Sequence, residues 1–505
     1  MRQHATLLDN VAVLFLRQLA TWSFTGVLIL FLPRYLGDEG LGKIVFATSV
    51  VAILLVFTNL GTSTFTVKQV AVDRGRLPDL LWNAYGMRLA TALVLAALLV
   101  AAVSLLRPDG EARAVFYVAA GILVVMSLDQ AQIAAIQGLE KMRWLSLAEV
   151  MNKATVTGIG ILLLVTGHGV VTYALVILLG YLVSLAVNGT YLARGHLDRP
   201  RFSVTTCRQL VRGGLPFFLA ASITQVYQWG DVVTLGLLTR AAVVGWYGAA
   251  IQLYATVNVV PLVLTTALLP ALSRLHARRD DSLRRITRKS MAVILMAGLP
   301  IALGTAMLSG EIIDLLGYPD SFTNSVPLLA ILALSLPITG MLMLVATTAF
   351  ATDQQSRWVK VMALATALNV LLNLALIPLF DRAYGNGAIG AALASLVAEL
   401  VQLAIGLRLV PVDIIDRSVL VSFAKAAAAA MVMVAVVGAT RFFQDPGLAP
   451  LVLVGGVAYL VALLLVRGVS PGEIRALALT WAQARQSAGG HRGEADPAIA
   501  SAVRE

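Results

Sequence analysis

The chain has 505 residues, of which 59% are hydrophobic and 13% are charged, and its formal net charge is +11. Because soluble domains carry about 25% charged residues, this composition excludes an ordinary soluble protein and indicates a polytopic membrane protein. The single cysteine, Cys207, excludes an intrachain disulfide, and the five histidines are too scattered for a zinc cluster. No glycine-rich phosphate loop is present, so we expect no direct use of ATP. We likewise expect no metal and no cofactor.

Hydropathy predicts an all-α membrane protein with about fourteen transmembrane helices, because each apolar run reaches the roughly 20 residues that cross a bilayer. The first run lacks a small-residue cleavage site and extends beyond the length of a signal peptide, so we expect it to be retained. Pro261, inside the eighth run, removes a helical hydrogen bond and is expected to kink that helix. The predicted spans are 11–36, 43–70, 81–106, 112–137, 144–166, 170–193, 213–238, 244–270, 290–309, 325–350, 357–380, 385–410, 418–440 and 447–466.

Lys and Arg concentrate in the loops on one side of this arrangement, which places both termini in the cytoplasm by the positive-inside rule. These topogenic charges explain the basic balance without a nucleic-acid partner. The longest basic run, Arg274–Lys289, predicts a short amphipathic helix on the inner surface. It either contacts anionic lipid headgroups or only fixes topology; its candidate headgroup residues are Arg274, Arg278, Arg279, Arg284 and Arg285.

Short segments repeat in the same order in two parts of the chain. Gly42–Ala47 resembles Gly245–Ala250, and Arg143-Trp144 resembles Arg357-Trp358. A duplication of six spans predicts two lobes with the same orientation, related by a pseudo-two-fold axis along the membrane normal. The expected units are residues 1–200 (helices 1–6), 201–410 (helices 7–12), 411–467 (appended helices 13 and 14) and 468–505 (a disordered cytoplasmic tail).

Charged side chains inside apolar spans are the candidate substrate-cavity or coupling residues, because such charges are costly in hydrocarbon and normally face a bundle interior or a wet cavity. Glu149 and Lys153 lie one helical turn apart, which predicts an ion pair between them. Lys425 lies near the inner interface, which its side chain can reach. The candidates are Asp231, Arg17, Arg88, Asp129, Lys153, Glu149 and Glu399.

Three of the candidate acids have structural alternatives to a transport role. Asp129 is placed to pair with Arg17 or Arg88, and Glu399 suits a polar contact between helices. Asp231 interrupts an apolar run near its middle, and an interhelical contact without a transport role is its alternative.

An ordered set of short motifs resembles the oligosaccharide flippases of the multidrug/oligosaccharidyl-lipid/polysaccharide exporter superfamily over about residues 10–410. No single motif is diagnostic, and the set is poorly specific to a substrate. The segments are Leu32–Gly37, Asn59–Gly61, Gly214–Pro216, Asp231 with Leu235-Gly236, Gly245–Tyr247, Leu269–Ser273, Asn369 and Asn373, Ile377-Pro378 and Gly387–Ala392.

The resemblance implies two six-helix lobes that rock to open a central cationic cavity, lined by helices 1, 2, 7 and 8, alternately to each side of a bacterial or archaeal inner membrane. It implies a polyprenyl-pyrophosphate-linked oligosaccharide as cargo, with a proton, sodium ion or membrane potential as the drive. Arg17 then becomes a candidate pyrophosphate contact, because arginine binds phosphate bidentately. Asp231 becomes a candidate for coupling-ion binding, a sugar hydrogen bond or a salt bridge between the lobes.

Other functions remain alternatives. A lipid II flippase shares the fold, but its family cavity carries several arginines and only Arg17 is well placed here. A multidrug exporter of the same superfamily is disfavoured by the appended spans and by the absence of a carboxylate in helix 1. A membrane-embedded enzyme such as a sugar polymerase would require a large outer loop with clustered Arg or His, and a structural scaffold would have no cavity.

The charge asymmetry gives a direct test of topology. Reporter fusions at residues 1 and 505 should both behave as cytoplasmic, because an even number of spans returns the chain to its starting side. Opposite behaviour of the two fusions would require an odd number of spans and would rule out the two-lobe arrangement.

Overall fold

The computed structural model describes residues 2–106, 108–195, 202–410, 416–444 and 447–467, with the side chains of 2–16 and 260 left aside. Its regular structure in these ranges is helical. The predicted tail, 468–505, lies outside the described residues. The helices are α1 Arg2–Asn59, α2 Thr62–Val72, α3 Leu77–Leu106, α4 Gly110–Gly138, α5 Met142–Val165, α6 Val170–Ala193, α7 Val204–Leu238, α8 Ala241–Val257, α9 Val259–Ala277, α10 Ser282–Met307, α11 Ser309–Leu315, α12 Val326–Ala351, α13 Gln355–Tyr384, α14 Gly387–Leu409, α15 Arg417–Gln444 and α16 Leu448–Leu465.

Eleven of the described helices are long and apolar enough to cross a bilayer, or twelve if the bent pair Ala241–Val257 and Pro261–Ala277 is one span. The prediction of an all-α polytopic membrane protein is therefore confirmed, while the count of fourteen stays a prediction. The bend of 48° lies where Pro261 was expected to kink the helix. Proline has no N–H to donate to the carbonyl of Val257, four residues earlier, so the series of helical backbone hydrogen bonds is interrupted there.

Gly37 breaks α1 into two helical stretches. Its φ of 65° and ψ of −176° lie in a region that only glycine adopts without strain. Arg17, before the break, bonds Glu149 near the start of α5, and Asn59, after it, bonds Arg88, which in turn reaches α4. Both contacts lie toward the end of the bundle where α4 turns into α5, so the chain reverses direction at Gly37.

The first half (residues 2–195) and the second half (202–410) meet through a backbone contact without side chains, here called the first glycine contact. A Cβ on Gly42 would lie 1.8 Å from the carbonyl oxygen of Ala241, and a Cβ on Gly245 would lie 2.0 Å from that of Asp38. Gly245 lies four residues after Ala241, and Gly42 lies four residues after Asp38. The two contacts are therefore equivalent, with the roles of the two halves exchanged. The indole Nε1 of Trp246 also donates to Asp38 Oδ2 at 3.0 Å.

A second glycine contact joins the halves at the opposite end of the bundle. Gly61 has φ 72°, and a Cβ there would lie 2.0 Å from the carbonyl oxygen of Gly214 on α7. A Cβ on Gly214 would in turn lie 2.5 Å from the carbonyl oxygen of Leu60. The helical stretch from Gly42 to Leu60 separates the two contacts by about 27 Å at 1.5 Å per residue, which is close to the thickness of a bilayer core.

The C-terminal pair, α15 and α16, packs on α10 and is held at both ends by ion pairs. Arg288 reaches Asp416 at 2.7 Å just before α15, and Arg441 near the end of α15 reaches Glu311 at 2.9 Å. The Ser418 hydroxyl, the Val419 amide and the Arg288 guanidinium hold the pKa of Asp416 below its usual value. The pair is therefore fixed to the second half.

Lys425, on the exposed side of α15, reaches the end of α16. Its ammonium donates to the backbone carbonyl of Arg467 at 2.9 Å. The side chain thus extends along its helix to a polar group at the end of the bundle, as a long cationic side chain in an apolar helix is expected to do.

The first glycine contact predicts opposite results for two Gly→Ala substitutions. Gly42→Ala inserts a methyl group where there is no room and should destabilise the protein by about 1–3 kcal/mol. Gly26→Ala, where a Cβ would meet nothing within 4 Å, should be neutral or stabilising by up to about 1 kcal/mol. Thermal unfolding of the purified proteins in detergent measures both. Equal melting temperatures would show that the contact at Gly42 does not contribute to stability.

Candidate functional site

Asp231 is the centre of a buried polar cluster in the second half. Its carboxylate lies on α7, and the residue is 8% exposed. Tyr247 on α8 donates its hydroxyl to Oδ2 at 3.1 Å, and Asn373 on α13 donates its amide to Oδ1 at 2.5 Å. Ser395 on α14 donates a further hydrogen bond to Oδ2. Side chains from three other helices therefore converge on one carboxylate.

The cluster has the correct geometry because polar residues recur at helical spacing on two facing helices. Asn369 and Asn373 lie one turn apart on α13, and the Asn373 amide also donates to Asn369 Oδ1 at 3.1 Å. The Asn369 amide lies 3.4 Å from Ser395 Oγ on α14. The side-chain oxygen of Asn373 is buried and has no hydrogen-bond partner within the described part of the chain.

Glu399 lies one turn beyond Ser395 on α14 and faces the same cavity. Thr339 on α12 donates its hydroxyl to Glu399 Oε2 at 2.8 Å, and Tyr254 on α8 lies 2.8 Å from the same threonine hydroxyl. The glutamate thus forms the interhelical polar contact expected from the sequence. The cavity, of about 120 Å³, is lined by Tyr227, Gln228, Asp231, Tyr247, Ile251, Tyr254, Leu332, Ser335, Asn369, Ala392, Ser395, Leu396 and Glu399.

Neither carboxylate of this cavity forms an ion pair within the described ranges. A negative charge at such a position costs about 2.5–3.5 kcal/mol or more unless it is compensated. Hydrogen bonds from hydroxyls and amides offset part of that cost but leave the net charge in place. The site is therefore chemically suited to take up a proton or a hard cation, which prefers oxygen ligands.

Three candidate charges belong to a different part of the molecule. Arg17 Nη1 lies 2.9 Å from Glu149 Oε2, and the side chains are 27% and 44% exposed. The expected ion pair between Glu149 and Lys153 is therefore wrong, because the first stretch of α1 packs on α5 and supplies the partner instead. Lys153 makes no ion pair within the described ranges. A salt bridge from Arg17 to Asp231 is not formed.

Arg88 forms hydrogen bonds that stabilise the junction between α1 and α2. The residue is 1% exposed, and its Nη2 donates to Asn59 Oδ1, Thr62 Oγ1 and Ser63 Oγ at 2.6, 2.9 and 2.8 Å. Its Nη1 reaches the carbonyl of Ser127 on α4 at 3.3 Å. These bonds hold the Leu60-Gly61 break that touches α7, so Arg88 supports the second glycine contact.

Asp129 pairs with neither of the arginines expected for it. Its carboxylate accepts hydrogen bonds from Ser184 Oγ at 2.8 Å and Asn188 Nδ2 at 2.9 Å, both on α6. The expectation failed because Arg17 and Arg88 find closer partners on α5 and at the α1–α2 junction. Asp129 therefore joins α4 to α6 inside the first half.

The basic run Arg274–Lys289 does not form a separate amphipathic helix. α9 continues to Ala277, α10 starts at Ser282, and the residues between them form a turn in which Arg279 has φ 53°. The run is divided in this way because the apolar residues on both sides extend α9 and α10 into it. The candidate headgroup residues are thus divided among two helix ends and a turn.

A cleft of about 530 Å³ lies beside this turn and carries acids as well as bases. His276, Arg279 and Arg284 line it together with Asp280, Asp281 and Asp353. The Ser282 amide and hydroxyl, with Arg278 and Arg285 nearby, hold the pKa of Asp280 below its usual value. Contact of the five arginines with lipid headgroups remains a prediction.

The sequence analysis did not identify the hydroxyl-bearing residues around Asp231. Ser395, Thr339 and Tyr247 supply hydrogen bonds to the two carboxylates, but single hydroxyl residues are common in apolar helices and look unremarkable in a sequence. The available signal was the spacing of four between Ser395 and Glu399, which places both on one face of α14.

Comparison with known proteins gives the family of this chain. The family model described as polysaccharide biosynthesis protein matches residues 7–276, more than half of the chain. The chain belongs to that family. A second model, described as MatE, matches residues 216–377. The family membership confirms the resemblance read from the sequence motifs.

Two curated relatives carry transport-related names. The chain is 26% identical over 187 residues to "Probable flippase AglR" of Haloferax volcanii, covering 37% of this chain and 38% of the relative. It is 21% identical over 310 residues to "Putative O-antigen transporter" of Escherichia coli, covering 60% of this chain and 73% of the relative. The match thus spans well under half the length of the first relative.

Solved structures with the same fold cover most of the chain. A lipid II flippase MurJ in an inward closed conformation superposes with a TM-score of 0.71 at 16% identity, covering 90% of this chain and 98% of the other. An inward-facing multidrug resistance MATE family transporter of the MOP superfamily gives 0.60 at 18% identity, covering 78% and 94%. At these identities the likeness shows the fold.

The contacts of Arg88 predict a large stability effect. Arg88→Gln leaves buried oxygens of Asn59, Thr62 and Ser63 without their donor and should lower the free energy of unfolding by about 3 kcal/mol. Arg113→Gln, at an exposed position on α4, should change it by less than about 0.5 kcal/mol. Thermal unfolding in detergent compares the two. An Arg88→Gln protein as stable as Arg113→Gln would contradict the structural role assigned here.

Proposed function

We propose that this protein is a flippase that moves a polyprenyl-pyrophosphate-linked oligosaccharide from the cytoplasmic to the outer leaflet by alternating access. The observation that carries the proposal is the uncompensated carboxylate pair, Asp231 and Glu399, around one small cavity in a bundle of the polysaccharide biosynthesis family. The names of the relatives, a probable flippase and a putative O-antigen transporter, support this assignment.

The bundle is organised as two lobes of six helices, residues 1–200 and 201–410, followed by two appended helices within 411–467. The break at Gly37 and a spanning α7 would each add one span to the twelve obtained with the bent pair, which supports a total of fourteen. The reciprocal contacts at Gly42 and Gly245 are those that a two-fold axis along the membrane normal would produce.

The two glycine contacts suit a rocking motion. Each joins the lobes by close backbone approach at one end of the bundle. Opening one contact while the other stays closed would expose a central space to one side of the membrane at a time. Such alternation requires two packed states that differ by only a few kcal/mol.

Asp231 is the coupling site. A proton or sodium ion bound there neutralises the carboxylate that four helices surround, and its release restores an unfavourable buried charge. Because α7, α8, α13 and α14 all contribute, occupancy of the site changes the packing of the second lobe. Glu399, in the same cavity, is a second acceptor for the coupling ion.

Arg17 is the candidate contact for the pyrophosphate of the cargo. Its guanidinium is 27% exposed and already binds one anion, the Glu149 carboxylate. A pyrophosphate carries more negative charge and can bind in a bidentate way, so it can compete with Glu149 for the N–H groups of the Arg17 guanidinium. Arg88 lacks this role, because it is 1% exposed and its Nη2 is held by three oxygens of the α1–α2 junction.

The protein acts in the inner, or plasma, membrane with both termini in the cytoplasm, among lipids whose anionic headgroups face its basic loops. Flipping breaks no covalent bond, so no catalytic residue is required and the protein is not an enzyme. A nucleic-acid partner is not needed to account for the basic charge.

Two related cargoes remain candidates because specific likenesses favour them. A lipid II flippase structure shares the fold over 90% of this chain, so a lipid II cargo is the first alternative. The MatE match over residues 216–377 and the TM-score of 0.60 favour an ion-coupled multidrug exporter. All three functions share alternating access, and they differ in the cavity that receives the cargo.

Asp231→Asn should abolish or strongly reduce glycan export. Asparagine keeps the size and hydrogen-bonding capacity of the side chain but removes its charge and titratable proton. An interhelical hydrogen bond alone contributes only about 0.6 kcal/mol on average, so a purely structural Asp231 would tolerate this change. The measurement is restoration of surface glycan in a deletion strain.

The matched control is Asp314→Asn, at an exposed position on α11, which should restore wild-type glycan. Membrane-fraction levels of both variants must equal those of the wild type. Normal glycan from a normally inserted Asp231→Asn protein would remove Asp231 from the transport mechanism.

A further inference from the structure

A second buried carboxylate, Asp129, lies in the first half, in surroundings that resemble those of a cation site. The residue is 4% exposed. One carboxylate oxygen accepts a bond from Ser184 Oγ at 2.8 Å, and the other accepts one from Asn188 Nδ2 at 2.9 Å. All the groups it touches are neutral, so its charge is not balanced by these contacts.

Two amide oxygens beside Asp129 are buried without a partner. Asn188 is 0% exposed and Gln132 is 6% exposed, and neither Oδ1 of Asn188 nor Oε1 of Gln132 accepts a hydrogen bond within the described ranges. Gln132 lies three residues after Asp129, on the same face of α4. Its amide packs on Gly189, beside Asn188, at 3.2 Å from the position that a Cβ would take. Buried polar atoms of this kind normally have a partner.

A rotation of the Asn188 amide would turn its oxygen into a ligand. The nitrogen and oxygen of an asparagine amide are interchangeable in shape, so a half-turn brings Asn188 Oδ1 to the position that its nitrogen now holds, 2.9 Å from Asp129. Two oxygens at that distance repel each other unless a cation lies beside both. A single bound ion would pair with the Asn188 oxygen and balance the carboxylate at the same time, and Gln132 offers a further unpartnered oxygen on the same face of α4.

The nearest arginine does not fill this role. Arg88 donates to Asn59, Thr62 and Ser63, and it reaches α4 only at the carbonyl of Ser127. Within the described part of the chain, no ion pair includes Asp129. The interior of the first half therefore leaves one negative charge without a direct partner.

We infer that Asp129, Ser184, Asn188 and Gln132 form a binding site for a monovalent alkali cation, with sodium as the preferred ion. One carboxylate balances one positive charge, and hydroxyl and amide oxygens complete a shell of hard ligands. The ion would connect α4 to α6 inside the first half. The site is separate from the Asp231 cluster, and its existence does not depend on the identity of the cargo.

Binding of radioactive sodium to the purified full-length protein in detergent tests this inference without any transport assay. The wild type should bind one sodium ion more per chain than Asp129→Asn, and Asp231→Asn one more than the double variant. Asp314→Asn serves as the control and should bind the same number of sodium ions as the wild type. The difference between Asp231→Asn and the double variant reports the first-half site alone, whichever ion Asp231 or Glu399 binds, so the two proposals succeed or fail separately.

Two further variants separate an ion site from a structural contact. Ser184→Ala retains the carboxylate and should weaken the remaining sodium binding of the Asp231→Asn protein at least several-fold. Moving the charge across the site, with Asp129→Asn combined with Asn188→Asp, should restore sodium binding that Asp129→Asn has lost.

Two results would overturn the site. Unchanged sodium binding on Asp129→Asn substitution, in protein that elutes normally from size exclusion, would leave Asp129 a helix-to-helix contact. An Asp231→Asn protein that binds no sodium at all would rule out a sodium site at Asp129.

Discussion

The close backbone approach of the two halves is the constraint on which the rest of the structure depends. At Gly42 and Gly245, and again at Gly61 and Gly214, carbonyl oxygens occupy the space where a side chain would begin. Without a hydrophobic driving force between helices in lipid, small residues allow the backbone contact that dispersion forces need. These contacts close the bundle at two ends about 27 Å apart. Arg88 contributes to one of them by fixing the α1–α2 junction.

Between these ends, each half contains a buried carboxylate held by neutral donors from other helices. Asp231 is bonded by residues of α8, α13 and α14, and Asp129 by residues of α6. Hydrogen bonds contribute about 1 kcal/mol each and leave the charge itself uncompensated. The other acids named here differ, since Glu149 has Arg17 as a partner of opposite charge, and Asp109 and Glu111 share Lys43. The interior acids are therefore the groups whose energy depends most on a mobile ion.

The sequence predicted the all-helical membrane fold, because an apolar run of about twenty residues matches the thickness of a bilayer and exceeds what a soluble core helix needs. It also selected Asp231, Asp129 and Glu399 from depth alone. It did not predict partners: Glu149 has a favourable neighbour at Lys153, yet the packing of α1 on α5 brings Arg17 closer. Nor did it predict the hydroxyl groups around Asp231, since a serine or threonine within an apolar helix can bond its own backbone. Contacts between helices remote in sequence depend on tertiary packing, which periodicity along one helix does not contain.

The central claim is that ion occupancy at Asp231 drives movement of a lipid-linked oligosaccharide across the bilayer. It is tested most directly in proteoliposomes that hold a fluorescent polyprenyl-pyrophosphate saccharide, with a membrane-impermeant quencher outside and an imposed gradient of sodium or protons. The account predicts that one of the two gradients accelerates movement between leaflets by at least several-fold, and that this acceleration is absent in liposomes containing the Asp231→Asn protein. Movement that proceeds at the same rate with and without either gradient, or equally in both proteins, would contradict it.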